Sequence, residues 1–217
     1  MRLSATLASI IKNAGILGLF AALTVGLVTV TQQSTKEQVA AQKRQAKLDA
    51  LEQILPPQTY DNDLLASTIR LHDSLLGNKP ATAYVATLDN RPAAIIVEAS
   101  TNEGYSGSID LIVAILADGS LSGVRVLAHQ ETPGLGDKIE LDKDDWILAF
   151  NGKSLHNPAE YGWAVKKDRG QFDQFAGATI TPRAVVKAVR HSLLFFDQNQ
   201  QEIFSAVLQQ PTAEQEH

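Results

Sequence analysis

The chain has 217 residues, of which 44% are hydrophobic, and it carries a formal net charge of −5. This composition is typical of a folded core with accessory segments and excludes a fibrous or fully disordered chain. The acidic balance argues against a nucleic-acid partner, because phosphate backbones bind clustered Lys and Arg side chains. Cysteine is absent, which excludes disulfides, thiolate metal sites and cysteine-ligated iron–sulfur clusters. Any redox role must therefore use a cofactor that is held without cysteine ligands.

An uncharged run extends from Asn13 to Thr35, and residues 14–30 within it are almost wholly apolar. As a helix this run would extend about 34 Å, against about 30 Å for the hydrocarbon core of a bilayer. A cleaved signal peptide is the alternative, since Arg2 and Lys12 give a basic start. The run is longer than a typical signal core, however, and no Ala-x-Ala site directly follows it. The sequence therefore predicts a retained transmembrane helix within an N-terminal segment of residues 1–35.

The orientation of this span does not follow from the charges around it. Basic residues precede it and also follow it, at Lys36, Lys43, Arg44 and Lys47. The positive-inside rule is weak evidence here, because long domains cross membranes largely regardless of such charge.

A connecting segment follows at residues 36–60. It is rich in helix-forming residues and ends at Pro56 and Pro57. We expect a solvated helix that continues the anchor and lifts a domain off the bilayer.

Apolar segments with turn signals between them predict a β-rich region. Hairpin connections are indicated at residues 89–92 and at Asp118-Gly119. The predicted strands are 82–88, 93–99, 107–116 and 121–128, and residues 162–167 are a further candidate.

Apolar side chains at helical spacing then predict a helix from Pro182 to about Gln198. Grouped strands with a closing helix predict an α+β fold, with an antiparallel sheet and flanking helices over residues 61–207. Residues 208–217 are predicted to be a flexible tail.

The stretch before this helix reads "DQFAGATITPR" at 173–183. Thr181 suits the N-cap position and Pro182 the first helical position. Thr179 would then lie just before the helix N-terminus, where free N–H groups and the positive end of the helix dipole favour an anion.

The neighbours of Thr179 strengthen this interpretation. Gly177 and Ala178 permit close approach of the backbone, and Arg183 adds a positive charge nearby. The pattern indicates a phosphate site beside a free hydroxyl. An ordinary capped helix after a tight turn is the alternative.

Asp173-x-x-Ala176-Gly177-Ala178-Thr179 resembles the Asp-x-x-Ser/Thr-Gly-Ala-Thr signature of FMN-binding domains. The resemblance implies that a flavin transferase esterifies FMN, through its phosphate, to Thr179. Ala176 departs from the signature, where Ser or Thr is usual. The alanine lacks the hydroxyl of Ser or Thr, but the Thr179 hydroxyl, the nucleophile, is in place.

A second stretch, "VLAHQETPGLGDKIE" at 126–140, resembles a loop of the same domain in the G subunit of the Rnf electron-transport complex. The spacing to "GYSG" at 104–107 and the single N-terminal anchor also fit, so the resemblance spans nearly the whole chain. The related C subunit of the sodium-pumping NADH:quinone oxidoreductase is an alternative, but it is typically longer.

Residues 134–136, Gly-Leu-Gly, allow close backbone approach to a ring on which Leu135 packs. Glu131 and Thr132 are expected to bond loop backbone or the flavin edge. The cofactor site so predicted comprises Thr179 with Ala176, Gly177, Ala178, Thr181, Glu131, Thr132, Leu135 and Gly136.

No metal site is predicted. His129 and Glu131 are candidate ligands but lack a third ligand nearby. Residues 142–145, "DKDD", lack the glycine and the terminal Glu of a calcium loop and predict a helix start before Trp146.

The resemblance implies a covalent FMN carrier that passes electrons in a complex linking ferredoxin and NAD redox chemistry to ion movement. It places the chain in the inner membrane with one span and the FMN domain on the periplasmic side. Other membrane subunits and a flavin transferase are the expected partners. The flavin does the chemistry, so the chain alone would have no complete turnover. A non-redox, membrane-tethered structural or solute-binding module is the alternative from another class, and it leaves the free threonine unexplained.

Overall fold

The structure is a computed structural model that describes residues 12–25, 41–42, 44–45 and 47–208. The chain divides into two compact units, Met1–Lys47 and Leu48–His217. In the first unit residues 12–25 are helical and exposed. Within the described residues, no helix combines the length and apolar character that crossing a bilayer requires. The predicted span continues beyond residue 25 and so lies partly outside the described residues, as does the predicted tail.

A five-stranded antiparallel sheet, in chain order, forms the centre of the second unit. The strands are β1 (Thr68–Leu71), β2 (Ala81–Leu88), β3 (Arg91–Thr101), β4 (Ile109–Leu116) and β5 (Leu121–Ala128). The four strands predicted between residues 82 and 128 are confirmed. β1 was not predicted, because this short edge strand is nowhere fully buried and has no strong apolar pattern.

Both predicted hairpins are confirmed. Asp89 and Asn90 connect β2 to β3 with φ angles of 51° and 59°, the positive values that a tight hairpin turn requires. Gly119, with φ 82°, lies in the turn between β4 and β5. There Asp118 Oδ1 accepts hydrogen bonds from the N–H and the hydroxyl of Ser120, at 2.9 and 2.6 Å.

The C-terminal helix (Ile180–Leu208) packs on one face of the sheet. Its predicted end near Gln198 is wrong by about three turns. The residues at 197–202 are all polar, but Ile203 beyond them is buried in the same core. Burial of that one side chain is a tertiary contact, which local composition does not encode.

The other face of the sheet is covered by the segment that precedes β1. Leu51, Ile54, Leu55 and Leu64 are buried there against side chains of β2, β3 and β4. Coverage of both faces explains why the strands are almost continuously apolar. The compact unit begins at Leu48, so the predicted domain start at Asp61 lies inside it, and the end of the predicted solvated connector belongs to the core.

Residues 162–167 do not form the additional strand suggested by the sequence. They lie in and between short 3₁₀ helices at Glu160–Gly162 and Lys166–Asp168, and Val165 makes a single bridge to Phe172.

The predicted helix start before Trp146 is confirmed. A 3₁₀ helix spans Asp145–Phe150, and the Asp144 side chain accepts a hydrogen bond from the Trp146 N–H at 2.9 Å.

Candidate functional site

Three segments that are distant in the sequence meet at a cleft of about 300 Å³. Tyr105 comes from the loop between β3 and β4, and residues 131–136 follow β5. Residues 177–181 form the start of the C-terminal helix and the turn before it. The cleft is lined by Tyr105, Glu131, Thr132, Leu135, Gly136, Gly177, Ala178, Thr179, Ile180 and Thr181.

All predicted site residues except Ala176 therefore line one cleft. Ala176 is exposed at the corner of the adjoining turn. Tyr105 and Ile180 also line the cleft but were not among the predicted site residues. A lone aromatic residue in a Gly- and Ser-rich loop was the signal for Tyr105, which is 69% exposed.

A buried aromatic cluster anchors the loop that carries Thr179. The Trp146 indole Nε1–H donates to the backbone carbonyl of Asp173 at 2.8 Å. The ring of Trp146 also packs edge-on against Phe175, with centroids 5.2 Å apart. The start of the loop is therefore held to the core through both a hydrogen bond and ring packing.

A tight turn leads from this anchor to Thr179. The Ala178 N–H donates to the Phe175 carbonyl at 3.1 Å, and Gly177 at the corner has a φ of 79°. A side chain at this φ would strain the backbone, which explains the glycine in the motif.

The helix begins at Ile180, not at Pro182. Thr179 occupies the cap position, and its carbonyl accepts a long hydrogen bond of 3.4 Å from the Arg183 N–H. The prediction that Thr181 caps the helix is wrong. Thr181 lies in the first turn, is 1% exposed, and donates its hydroxyl to the Glu131 carboxylate. Pro182 is tolerated in the first turn because N–H groups there have no intrahelical partner.

The hydroxyl of Thr179 makes no hydrogen bond to any residue that the structure describes. The residue is half-buried and lines the cleft. It therefore presents an unengaged nucleophile at the start of a helix.

Glu131 is buried, with 4% of its surface exposed, and both of its carboxylate oxygens are bonded. Oε1 accepts from the Ser106 N–H at 3.0 Å, and Oε2 accepts from the Thr181 hydroxyl. The backbone N–H of Glu131 donates to His129 Nδ1 at 3.0 Å. The carboxylate thus contacts both of the other segments that form the cleft.

The Thr132 carbonyl closes the loop by accepting from the N–H groups of Leu135 and Gly136, at 3.1 and 3.0 Å. A Cβ at position 136 would lie 2.9 Å from both Glu131 Cβ and Thr181 Oγ1. Gly136 therefore makes room for this pair of side chains. Leu135 is 43% exposed and offers an apolar surface at the rim.

Two polar side chains near the cleft, Arg183 and His129, already have partners. The Arg183 guanidinium, expected to add positive charge, forms a two-point ion pair with Asp168 at 2.5 and 2.6 Å. Its hydrogen bonds hold the pKa of Asp168 below the usual value of that carboxyl. His129 Nε2 lies 2.5 Å from Glu140 Oε1.

Comparisons with known proteins match the segments that form this cleft. The profile of a family described as "FMN-binding domain" matches residues 104–194, and that of "RnfG N-terminal region" matches residues 1–54. The chain is 52% identical over 204 residues to the G subunit of the ion-translocating oxidoreductase complex of Pseudomonas aeruginosa, covering 93% of this chain and 95% of that one. The chain belongs to this G subunit family.

Other members of the G subunit family are similarly close. The Shewanella oneidensis protein is 49% identical over 200 residues, covering 91% of this chain and 94% of its own. The Vibrio cholerae protein is 47% identical over 198 residues, covering 91% and 95%. Every residue that lines the cleft falls inside the match to the FMN-binding domain. The resemblance to the Rnf G subunit is thus confirmed.

Proposed function

We propose that this protein carries electrons within an ion-translocating oxidoreductase complex through an FMN attached to Thr179 by a phosphoester bond. The free hydroxyl of Thr179, in a cleft that lies within the FMN-binding domain, is the observation that carries the proposal. Bound FMN would supply the redox chemistry by accepting and donating electrons, while the protein holds and orients it.

The residues present fit an FMN phosphate at Thr179. The N–H groups of Ile180 and Thr181 belong to the first helical turn, where they lack intrahelical partners and favour an anion. Tyr105, Leu135 and Ile180 are exposed apolar side chains at the same cleft, and such side chains suit contact with a flavin ring.

The attachment needs an activated donor, because condensation of free FMN with a hydroxyl is unfavourable in water. A flavin dinucleotide has the required chemistry. The Thr179 oxygen attacks the phosphorus on the flavin side, the new O–P bond forms, and the pyrophosphate bond breaks to release AMP. The hydroxyl proton leaves to solvent or to a base of the flavin transferase, the partner that we propose for this step.

A covalent bond has a physical advantage at this site. The cleft is open at its rim, since Leu135 and Ile180 are 43% and 45% exposed, and a reversibly bound cofactor would escape into solvent.

We propose a single-pass anchor in the inner membrane with the FMN domain on the periplasmic side. The uncharged run at 13–35 and the membership in a family of oxidoreductase-complex subunits support the anchor, and the resemblance to the Rnf G subunit implies the periplasmic side.

Substitution of Thr179 tests the proposal. The full chain is coexpressed with a flavin transferase, and the peptide covering residues 171–183 is fragmented by mass spectrometry. We expect the FMN mass on Thr179 in the wild type and no covalent flavin in Thr179→Ala, with little change in stability because this hydroxyl bonds no described residue. Thr181→Ser is the matched control and should keep the flavin. FMN on Thr181, or covalent flavin retained in Thr179→Ala, would refute the assignment.

A further inference from the structure

We propose that Glu131 is a positioning residue for FMN attachment, whose buried carboxylate ties the 104–107 loop to the start of the C-terminal helix and thereby holds Thr179 at the cleft. The proposal rests on the attachment of FMN to Thr179 proposed above. It concerns how this chain prepares its own acceptor hydroxyl for the transferase.

The contacts of Glu131 connect segments that are far apart in the chain. Ser106 lies 25 residues before Glu131, and Thr181 lies 50 residues after it. One carboxylate oxygen is committed to each of them. Thr181 is two positions from Thr179 in the same first turn, so the bond that fixes Thr181 also fixes the backbone on which the acceptor hydroxyl stands.

The surroundings are shaped around this carboxylate. A Cβ at Gly104 would lie 2.7 Å from Glu131 Oε1, and a Cβ at Gly136 would lie 3.0 Å from Oε2. Glycines on both sides therefore leave the space that the two hydrogen bonds need. Among the described residues, the buried polar side chains are Glu131, Thr181 and Ser192, so this site holds two of the three.

Stability alone does not explain a buried carboxylate. Burial of a charged group costs free energy that its hydrogen bonds largely offset, and an apolar pair of similar volume is often as stable. A directional bond does what an apolar pair does not, because it sets the relative position of the joined segments. The expected consequence is control of where Thr179 lies.

Phosphoryl transfer to Thr179 requires its oxygen to approach the phosphorus in line with the bond that breaks. A misplacement of about 1 Å costs on the order of 100-fold in the rate of such a step. Loss of the Glu131–Thr181 bond should therefore lower the maximal rate of attachment. Binding of the transferase to exposed parts of the loop should change little, which separates an effect on kcat from one on KM.

The experiment uses the full chain in detergent, a purified flavin transferase and flavin adenine dinucleotide, with attachment followed by intact-protein mass. Thr181→Val removes the hydroxyl at nearly constant volume. We expect kcat to fall by about tenfold or more with KM within about twofold. Thr181→Ser keeps the hydroxyl and is the conservative rescue at this position, so it should recover most of the rate that Thr181→Val loses.

Glu131→Gln is the conservative substitution at the other end of the Glu131–Thr181 bond. Its amide oxygen accepts from the Ser106 N–H, and its NH₂ group donates to the Thr181 oxygen, so both connections persist. We expect this variant to keep most of the wild-type kcat. An attachment rate as low as that of Thr181→Val would count against the positioning role.

Thr181→Val leaves a buried carboxylate oxygen unpaired, so folding is checked independently by thermal unfolding. The double variant Glu131→Met with Thr181→Val removes both groups of the Glu131–Thr181 bond, so no buried carboxylate oxygen is left unpaired. The Ser106 N–H also loses its acceptor, but Ser106 is an exposed residue. We expect it to fold and to attach FMN slowly. A folded double variant, or a folded Thr181→Val, that attaches FMN at the wild-type rate would overturn the proposal.

The wild-type control separates this inference from the proposed function. If the wild type acquires no FMN, or acquires it on a residue other than Thr179, the proposed function fails and the positioning role falls with it. If the wild type is modified at Thr179 and the folded variants react equally fast, only the positioning role fails.

Discussion

At the scale of single residues, Gly136 tests how tightly the cleft is packed. Its φ is −87°, so any residue fits the backbone, and only space is limiting. In Gly136→Ala the new Cβ would meet Glu131 and Thr181 at 2.9 Å. We expect a loss of about 1–3 kcal/mol in the free energy of unfolding, measured with urea. Ala176→Gly, at the exposed turn corner, is a control that adds no atom near the pair. An unchanged stability in Gly136→Ala would show that the pair has room to move.

Asp118 gives a prediction about pH. The hydrogen bonds from Ser120 lower the pKa of Asp118 below its usual 3.8. A carboxyl whose pKa is lower in the folded state stabilises the fold above its unfolded pKa, and this stabilisation is lost as pH falls through the folded pKa. We therefore expect Asp118→Asn to show a smaller loss of stability than the wild type below about pH 4.

The measurement is the urea midpoint as a function of pH. Ser120→Ala removes the hydroxyl donor and should also reduce the loss of stability at acid pH. The reduction should be smaller than in Asp118→Asn, because the backbone N–H bond remains. An equal fall of the urea midpoint below about pH 4 in Asp118→Asn and the wild type would contradict the prediction.

At the scale of elements, the 3₁₀ helix Asp145–Phe150 holds the loop that carries Thr179. Trp146→Phe keeps an aromatic ring but removes the N–H that bonds the Asp173 carbonyl. We expect a loss of about 1–3 kcal/mol in stability, because a partly buried acceptor loses its partner. We also expect slower FMN attachment, since the start of the loop is released.

Trp163→Phe is the matched control for this element. The side chain of Trp163 belongs to the same aromatic cluster, but its indole N–H donates to the Ser154 carbonyl at 3.1 Å. We expect a similar loss of stability with an unchanged rate of FMN attachment. Equal slowing in the two variants would show that general loosening of the core, and not the Asp173 contact, controls the loop.

At the scale of the whole molecule, the sheet needs the segment before β1. Leu51, Ile54 and Leu55 are each 2% exposed or less, and burial of such a side chain contributes about 1.5–3 kcal/mol. Their combined contribution is comparable to a typical domain stability of about 5–15 kcal/mol. We expect a chain that starts at Leu48 to fold cooperatively and a chain that starts at Asp61 to be unfolded or aggregated. Equal thermal unfolding temperatures would contradict this.

The membrane anchor remains a prediction of the sequence. The uncharged run at 13–35, with no Ala-x-Ala site directly after it, leads us to expect the run in the mature protein. N-terminal sequencing of the protein from native membranes tests this. A mature chain that begins after residue 30 would show that the segment is a cleaved signal.

The sequence by itself determined the features that act over a few neighbouring residues. Apolar runs separated by Asp89-Asn90 and Asp118-Gly119 predicted four strands and both hairpins, because turn geometry depends on the local backbone. A contiguous motif also predicts Thr179 as the acceptor, since all its residues lie within one short stretch, and this assignment stays a prediction. The strand suggested at 162–167 shows the limit of this approach, since an apolar run that enters the core through 3₁₀ turns has much the same local pattern.

Only the tertiary structure decided the roles that depend on partners far away in the chain. Thr181 has the sequence context of a cap, yet its hydroxyl bonds Glu131, which lies 50 residues earlier. Leu51 and Leu55 lie in a polar, helix-forming stretch, and their burial depends on the uncovered face of a sheet that follows. Tyr105 joins the cleft because the loop after β3 returns to the start of the C-terminal helix. A side chain's partner is set by which elements pack together, and residues adjacent in sequence carry no record of that packing.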